Sequence, residues 1–414
     1  MIGWEYPPHN SGGLGVACQG LTESLAETAD ITFALPYTVL EPVPHMKLLS
    51  CVDPSWTDSA DGNVRVGKNG STTITTPPFL AYSSEGVVSY LSADKSLSIE
   101  KLRGLSTSQL SHRVEEYATI VAGHAQNVKK HTDVIHAHDW MSFPAAQKLQ
   151  KMTGKPFIAH VHSTEYDRAG LTMGNEYIAQ TEYAGMMRAN SIIAVSNYTK
   201  QLLVSKYGID AHKISVVHNG IKPVSAERVQ PTFAKKRPVV VFMGRLTLHK
   251  GVQYFLQLAS VVLERVPDAL FIVAGSGDMY HELLFTTANR HLSASVLFSG
   301  FVRDEQQKKL LDRADVFVMP SISEPFGLVA LEAAQRHTPV IMSKNAGVSE
   351  VLSGGVAVDF WDLNKMADAV VELVMNPEKA AEVTKQQLTN LESVTWHNAA
   401  SKVSNVYKKL FLGR

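Results

Sequence analysis

Two carboxylates on either side of a glycine are the side chains in this sequence whose spacing most clearly suggests chemistry. They lie in the stretch S-I-S-E-P-F-G-L-V-A-L-E-A-A-Q, residues 321–335, where Glu324 precedes Gly327 and Glu332 follows it. The apolar segment before this stretch is typical of a buried parallel strand, and the periodicity after Pro325 is helical. The sequence therefore predicts a strand, a tight loop and the start of a helix.

The start of that helix is a predicted anion site. The amides near Gly327, Leu328 and Val329 have no acceptor within the helix, and the helix dipole adds positive charge there, so phosphate is the expected ligand. Glu324 on the loop and Glu332, about one and a third turns along the helix, bracket this position and can accept hydrogen bonds from hydroxyl groups. Phosphate flanked by hydroxyls describes a sugar nucleotide. The alternative is a simple loop and cap with a solvated Glu332.

A second strand end carries two cations. Arg245 and Lys250 lie in G-R-L-T-L-H-K-G, directly after the predicted strand 239–243. Arginine can bind a diphosphate through two parallel hydrogen bonds, and lysine acts as a point charge. We therefore expect both to face the same diphosphate, the alternative being two solvated loop cations.

Glycines at other strand ends permit close approach of a ligand to the backbone. Gly12 and Gly13 precede a predicted helix over residues 16–27, at the first strand-to-helix crossing, which offers another anion site. Gly275 opens a Gly-Ser-Gly turn after the predicted strand 270–274. No third glycine completes a dinucleotide fingerprint, so we expect this turn beside the base or ribose of a nucleotide.

Histidines follow two strands in the first half of the chain. His138 and Asp139 end one predicted strand, and His160 and His162 end the next. His162 is nearer the carboxyl end, where open α/β sheets bind ligands. No metal site is predicted, because the acids or histidines that would complete a coordination sphere have no clear helical partner.

The stretch from Glu324 to Glu332 closely resembles the motif of retaining glycosyltransferases of the large family 4 type, a Glu, seven residues and a second Glu. The resemblance extends along most of the chain. It implies that Glu324 faces the donor sugar, that Glu332 holds the ribose and that His162 contacts the donor sugar. The His-Asp-Trp run resembles the segment that borders the acceptor and donor sugars in glycogen synthases, which implies this role for His138 and Asp139.

One departure separates the chain from the glycogen-synthase branch. A lysine often precedes the Gly-Gly pair in that branch, whereas Asn10 and Ser11 stand there in this sequence. The donor-phosphate contact that the lysine makes is therefore not expected here.

The order of strands and helices predicts an α/β protein with two doubly wound, Rossmann-like domains facing each other across a cleft, the GT-B architecture of the family. We expect an acceptor-side domain over residues 1–225 and a nucleotide-sugar domain over residues 236–395. Residues 222–237 form the predicted linker. By resemblance, a terminal helix over residues 396–414 packs back on the first domain.

Composition excludes several classes of function. The chain has 414 residues, with Lys plus Arg equal to Asp plus Glu at 39 each, so nothing in the sequence indicates nucleic-acid binding. Cys18 and Cys51 form no CxxC pair, which suggests a reducing compartment. No segment approaches the ~20 apolar residues of a spanning helix, and no leader is recognised, so we expect a cytoplasmic protein.

The resemblance implies a retaining enzyme that moves a sugar, expected to be glucose, from a nucleoside diphosphate to a hydroxyl of an α-glucan, without a cofactor or metal. No covalent nucleophile stands out, which favours attack on the same face as departure. Three alternatives remain open: a small sugar, sugar phosphate or lipid-linked glycan as acceptor; nucleotide-sugar epimerisation; and a non-catalytic nucleotide-sugar-binding protein.

Overall fold

Parallel strands form the centre of both halves of the chain. The computed structural model describes residues 1–7, 12–37, 42–51, 64–66, 72–74, 107–223 and 237–412. The strands in chain order are β1 (Thr32–Leu35), β2 (Lys47–Ser50), β3 (Val64–Val66), β4 (Thr72–Ile74), β5 (Ile135–His138), β6 (Phe157–Val161), β7 (Ser191–Ala194), β8 (Ile214–Val216), β9 (Val239–Met243), β10 (Leu270–Ala274), β11 (Val296–Gly300), β12 (Val316–Met319), β13 (Val340–Ser343) and β14 (Val356–Val358).

Helices connect most of these strands. They are α1 (Gly13–Leu25), α2 (Thr107–Ala122), α3 (Ala125–His131), α4 (Phe143–Thr153), α5 (Glu165–Arg168), α6 (Glu176–Arg188), α7 (Asn197–Tyr207), α8 (Val252–Leu263), α9 (Tyr280–Asn289), α10 (Asp304–Arg313), α11 (Leu328–Gln335), α12 (Leu363–Met375), α13 (Pro377–Leu391) and α14 (Trp396–Leu412). Short 3-10 segments lie at Trp140–Ser142, Ala211–Lys213, Leu248–Lys250 and Gly347–Glu350. None of the described helices combines the length and hydropathy that crossing a bilayer requires.

The first sheet has a very short leading strand. Ile2 forms parallel bridges with Ala34 in β1 and Ala137 in β5 and so joins β2-β1 to β5-β6-β7-β8. The strand pairs of this sheet are parallel. From Ile2, successive strands of the chain are added first on one side (β1, β2) and then on the other (β5 to β8). A ligand crevice is expected at such a switch point.

The second sheet has the order β11-β10-β9-β12-β13-β14, with parallel pairing throughout. Every residue of β9 and β12 is buried, as continuous apolar runs in a sheet covered on both faces require. The order reverses between β9 and β12. The loops that follow these two strands therefore meet at one edge, and they carry Arg245, Lys250 and Glu324.

Buried apolar residues lie on both faces of each sheet. On the first sheet, one cluster joins α1 to the terminal helix α14. Trp396 in that helix packs against Gly20, where a Cβ atom would overlap the indole ring. The contact brings the end of the chain back to its beginning.

The structure confirms the predicted fold class of two parallel α/β units and refines several elements. Helical spacing in the sequence predicts one helix over residues 111–130, and the structure has two helices there, because Gly123 and His124 interrupt it. The sequence also predicts short strands over residues 72–75 and 87–91, and the first of these covers Thr72–Ile74 and pairs antiparallel with β3. The domain boundaries stay a prediction. Asn10, Ser11, the strand expected over residues 87–91, most of residues 36–104 and linker residues 224–236 lie outside the described residues.

Candidate active site

Glu324 and Lys250 form an ion pair where the loops after β9 and β12 meet. Nζ of Lys250 lies 2.6 Å from Oε2 of Glu324, and Glu324 is only 6% exposed. The backbone of Glu324 is held as well, because its amide donates to the Asn345 carbonyl at 3.0 Å and its carbonyl accepts from the Gly347 amide at 2.9 Å. The structure thus brings together two residues that the sequence predicted separately.

The start of α11 has the features of an anion site. Gly327, the residue before the helix, has φ +105°, a conformation that favours glycine. No acceptor for the amides of Gly327, Leu328 or Val329 occurs in the described part of the chain. The dipole of α11 adds positive charge at these donors, so a phosphate oxygen is a suitable ligand.

Glu332 lies on the same helix and is half-buried. Its Oε2 accepts a hydrogen bond from Nε2 of Gln307 at 2.5 Å. Burial raises the pKa of Glu332, and the hydrogen bond from Gln307 partly opposes that shift. Gln307, on α10, was not identified from the sequence.

Two glycines bring the loops at this edge into close contact. Gly251 has φ +68°, and a Cβ there would overlap the carbonyl of Pro320. Gly275 has φ +144°, and a Cβ there would overlap the carbonyl of Gly244, next to Arg245. Gly275 therefore has a packing role, and its predicted contact with the nucleotide stays a prediction.

The histidines of the first half form hydrogen-bonded pairs at the ends of β5 and β6. Nε2 of His162 lies 3.0 Å from Nδ1 of His138, while Nδ1 of His162 has no partner among the described residues. Burial lowers the pKa of His162 to about 3, so the ring is neutral at physiological pH. The unpaired Nδ1 is a buried atom, so the predicted contact of His162 with the donor sugar stays a prediction.

His138 and Asp139 are buried behind this ring. Oδ1 of Asp139 accepts the amide of His162 at 2.7 Å, and burial raises the pKa of Asp139 to about 7. Asp139 has φ +58°, so this contact is maintained in an uncommon backbone conformation. Both residues support His162 within the chain, and their direct contact with an acceptor stays a prediction.

Glu5 is a site residue that sequence reasoning missed. It is buried after the short first strand, and its carboxylate accepts a hydrogen bond from the amide of Gly15 in the first turn of α1. Burial raises the pKa of Glu5 to about 6, while Arg245 of the other half and the Gly15 amide oppose that shift. Gly12 and Gly13 are exposed at the start of the same helix. The one signal for Glu5 in the sequence was its place at the start of the loop that contains two prolines and the Gly12–Gly13 pair.

Side chains of the two halves contact each other around this region. Oγ of Ser196 donates to the carbonyl of Pro325 at 2.7 Å. The carboxylate of Glu350 accepts the amides of Asn197 and Tyr198, both at 2.8 Å, at the start of α7. Pro325 is the residue after Glu324, so the contacts between the halves adjoin the ion pair.

Among the residues that the structure describes, two groups of side chains have metal-ligand character, namely Cys18 with His138 and His162, and His136 with His138 and His160. Within these groups, facing ring nitrogens already bond to each other, His138 to His162 and His136 to His160, both at 3.0 Å. A metal would have to replace these hydrogen bonds. The expectation that transfer requires no metal stays a prediction.

Comparison with known proteins identifies related sequences and folds. Residues 224–388 match the family model described as Glycosyl transferases group 1, and residues 109–224 match the model described as Glycosyltransferase Family 4. An uncharacterized glycosyltransferase of Methanocaldococcus jannaschii is 29% identical, with 99% of this chain and 97% of that protein covered. A glycogen synthase of Mycobacterium tuberculosis is 27% identical, with 98% and 93% covered.

Among solved structures, a sucrose-phosphate synthase from Thermosynechococcus elongatus shares the fold with a TM-score of 0.74. It is 18% identical in sequence, and the match covers 100% of this chain and 99% of the other.

Proposed function

The chain belongs to the family 4 glycosyltransferases with the GT-B fold, and we propose that it is a retaining glucosyltransferase acting on an α-glucan. The donor is a nucleoside diphosphate glucose, and the acceptor is a hydroxyl group at the end of the glucan. Full-length similarity to a glycogen synthase supports this substrate class.

One arrangement supports the transfer chemistry most directly. Glu324, which pairs with Lys250 of the neighbouring loop, lies on the loop that leads into α11, whose first amides have no acceptor within the described ranges. A cation, a carboxylate and a row of amide donors match a sugar diphosphate, in which a charged group adjoins hydroxyls.

The leaving diphosphate needs positive charge as its bond to the sugar breaks. Lys250, Arg245 and the amides of Gly327, Leu328 and Val329 supply that charge in a partly buried edge, where electrostatic stabilisation is strong. Glu332 then accepts hydrogen bonds from the ribose hydroxyls.

The sugar is held between the halves. Glu324 and His162 hydrogen-bond its hydroxyls and orient the anomeric carbon. The acceptor oxygen forms its bond to that carbon on the face from which the phosphate oxygen departs, and the hydroxyl proton passes to the departing phosphate. The anomeric configuration is therefore retained.

A smaller acceptor is the second candidate within this class. The residues before the Gly-Gly pair are Asn10 and Ser11 instead of the lysine found in the glycogen-synthase branch, which favours testing a small sugar, a sugar phosphate and a lipid-linked glycan. Epimerisation of free nucleotide sugars and a purely binding role are the remaining alternatives.

A donor-release assay tests the function. Purified protein is incubated with ADP-glucose, UDP-glucose or GDP-mannose, with and without glycogen or maltooligosaccharide, and free nucleoside diphosphate is measured. We expect glucan-dependent release from one glucose donor, with an α-configured product by NMR. Release without glucan dependence would reject the glucan acceptor, and interconversion of the nucleotide sugars would indicate an epimerase. No release with any donor would contradict the function.

A further inference from the structure

The four-residue helix α5 holds the residues that immediately precede both members of the ion pair. It begins three residues after His162, and its last two residues are Asp167 and Arg168. Asp167 binds Ser323, which precedes Glu324. Arg168 binds His249, which precedes Lys250.

The contact of Asp167 is a short, buried hydrogen bond. Oγ of Ser323 donates to Oδ1 of Asp167 at 2.5 Å, and both residues are at most 1% exposed. Ser323 also lies 2.8 Å from the hydroxyl of Tyr198. Because the single hydroxyl proton of Ser323 points to Asp167, Tyr198 must be the donor in the second bond.

The contact of Arg168 involves the main chain. The buried ring of His249 hydrogen-bonds the backbone of Arg168. Burial lowers the pKa of His249 to about 2, and Lys250, Arg245 and Arg168 act in the same direction, so the ring is neutral. The carbonyl of His249 accepts the amide of Ile322 at 2.9 Å, so the two loops are also bound to each other.

Helix α5 is firmly attached to the first half. Nη2 of Arg168 lies 2.7 Å from Oε1 of Glu182 in α6, and Oε2 of Glu182 accepts the amide of Glu165 at 3.0 Å. Oδ2 of Asp167 closes a capping box with Thr164 at 2.8 Å. The helix can therefore act as a fixed reference for whatever it contacts in the second half.

We infer that Asp167 and Ser323 are positioning residues, which fix the loop of Glu324 relative to the first half and so make donor-site assembly depend on contact between the two halves. This rests on the proposed function. On the proposed function, Lys250, Arg245 and the start of α11, all in the second half, supply the main contacts to the nucleoside diphosphate. Loss of the contact should therefore impair transfer more than nucleotide binding.

Ser323→Ala, Asp167→Ala and the double variant test this inference. We expect kcat to fall 10- to 100-fold in each single variant, with no further fall in the double variant. The Kd for nucleoside diphosphate should stay within threefold for Ser323→Ala. Tyr198→Phe is the matched control, because it removes the other hydroxyl from Ser323 but leaves the bond to Asp167, and its kcat should stay within threefold.

Unchanged kcat in Ser323→Ala would overturn the inference, as would multiplicative losses in the double variant or an equal loss of nucleotide binding. If Asp167→Ala fails to fold without its capping box, the comparison of kcat with Kd in Ser323→Ala still tests the inference. Hydrogen exchange of residues 321–326, measured without substrate, should be at least fivefold faster in Ser323→Ala than in the wild type. This readout remains valid even if no donor is turned over, and unchanged exchange would contradict the inference.

Discussion

Nζ of Lys250 lies 2.6 Å from Oε2 of Glu324, although 74 residues separate them in the chain. Each charge is thus compensated before a substrate binds. Lys250→Ala or Glu324→Ala should abolish nucleotide release while the fold survives, because, on the proposed function, each removes a group that faces the sugar diphosphate. The donor-release assay and circular dichroism measure the two outcomes.

The ion pair also predicts that substitutions of Lys250 and Glu324 have non-additive effects on the free energy of unfolding. Either single substitution leaves a partly buried charge and should lower the free energy of unfolding by up to about 3 kcal/mol, while Lys250→Met combined with Glu324→Gln should recover part of that loss. Lys344→Ala is the control, since its pair with Asp359 is on the surface, and it should cost less than about 1 kcal/mol. Near-normal turnover in either single variant of the Lys250–Glu324 pair would contradict the assigned roles.

Glu5→Gln should change how stability depends on pH. Burial raises the pKa of Glu5 from the ordinary 4.5 to about 6, so folding favours the protonated form. This contribution is fully present below pH 4.5 and is lost as the pH rises through 6. A pKa raised from 4.5 to about 6 corresponds to about 2 kcal/mol.

Urea denaturation of the wild type and Glu5→Gln between pH 4.5 and 7 measures this effect. The wild type should lose stability relative to the variant by about that amount as the pH rises. If the free energies of unfolding of the wild type and Glu5→Gln instead changed in parallel with pH, the pKa of Glu5 would not be raised in the folded protein.

Gly251→Ala should be far more disruptive than Gly154→Ala. Both glycines have φ near +70°, but a Cβ at Gly251 would overlap the Pro320 carbonyl, whereas nothing lies within 4 Å of one at Gly154. The control variant carries only the left-handed backbone cost of about 1 kcal/mol. We expect Gly251→Ala to lower the melting temperature by several times as much and to reduce kcat, because it separates the loops that carry Lys250 and Glu324. Equal effects in the two variants would refute a steric origin.

Glu350→Ala should loosen the contact between the halves. Burial pushes the pKa of Glu350 up, but hydrogen bonds from His218, Asn197 and Tyr198 outweigh it and lower the pKa. The stabilising contact is therefore present above the ordinary pKa of 4.5 and is lost as the pH falls through the lowered value.

Small-angle X-ray scattering at neutral pH should give a larger radius of gyration for Glu350→Ala than for the wild type. The wild type should approach the variant on acidification. Glu382→Ala, which removes an exposed pair with Lys379, is the control and should scatter like the wild type. An unchanged radius in Glu350→Ala would argue against a role in holding the halves together.

Much of the fold was predictable because its strands are short, continuous apolar runs. The segments that became β9, β10, β12 and β13 are buried on both faces, and such runs are recognisable without knowledge of their partners. Polar groups directly after these runs identified Arg245, Lys250 and Glu324. A site at the carboxyl edge of parallel strands follows from the same rule.

Other site residues gave weak signals in the sequence. Glu5 follows a strand reduced to Ile2, and Gln307 has no motif around it. Asp167 and Ser323 are 156 residues apart and ordinary in type, so only their contact reveals them. Single residues without periodicity or spacing cannot be recognised from local pattern.

The sequence by itself determined the local structure: which segments form strands, where glycine is needed, and which strand ends carry charge. These depend on propensities and periodicities within a few residues. Tertiary structure alone decided that Lys250 pairs with Glu324, that His162 is supported by His138 and Asp139, and that α5 reaches both donor-side loops. Those relationships depend on sheet order and on contact between the two halves, where distant residues meet because buried surfaces must pack together.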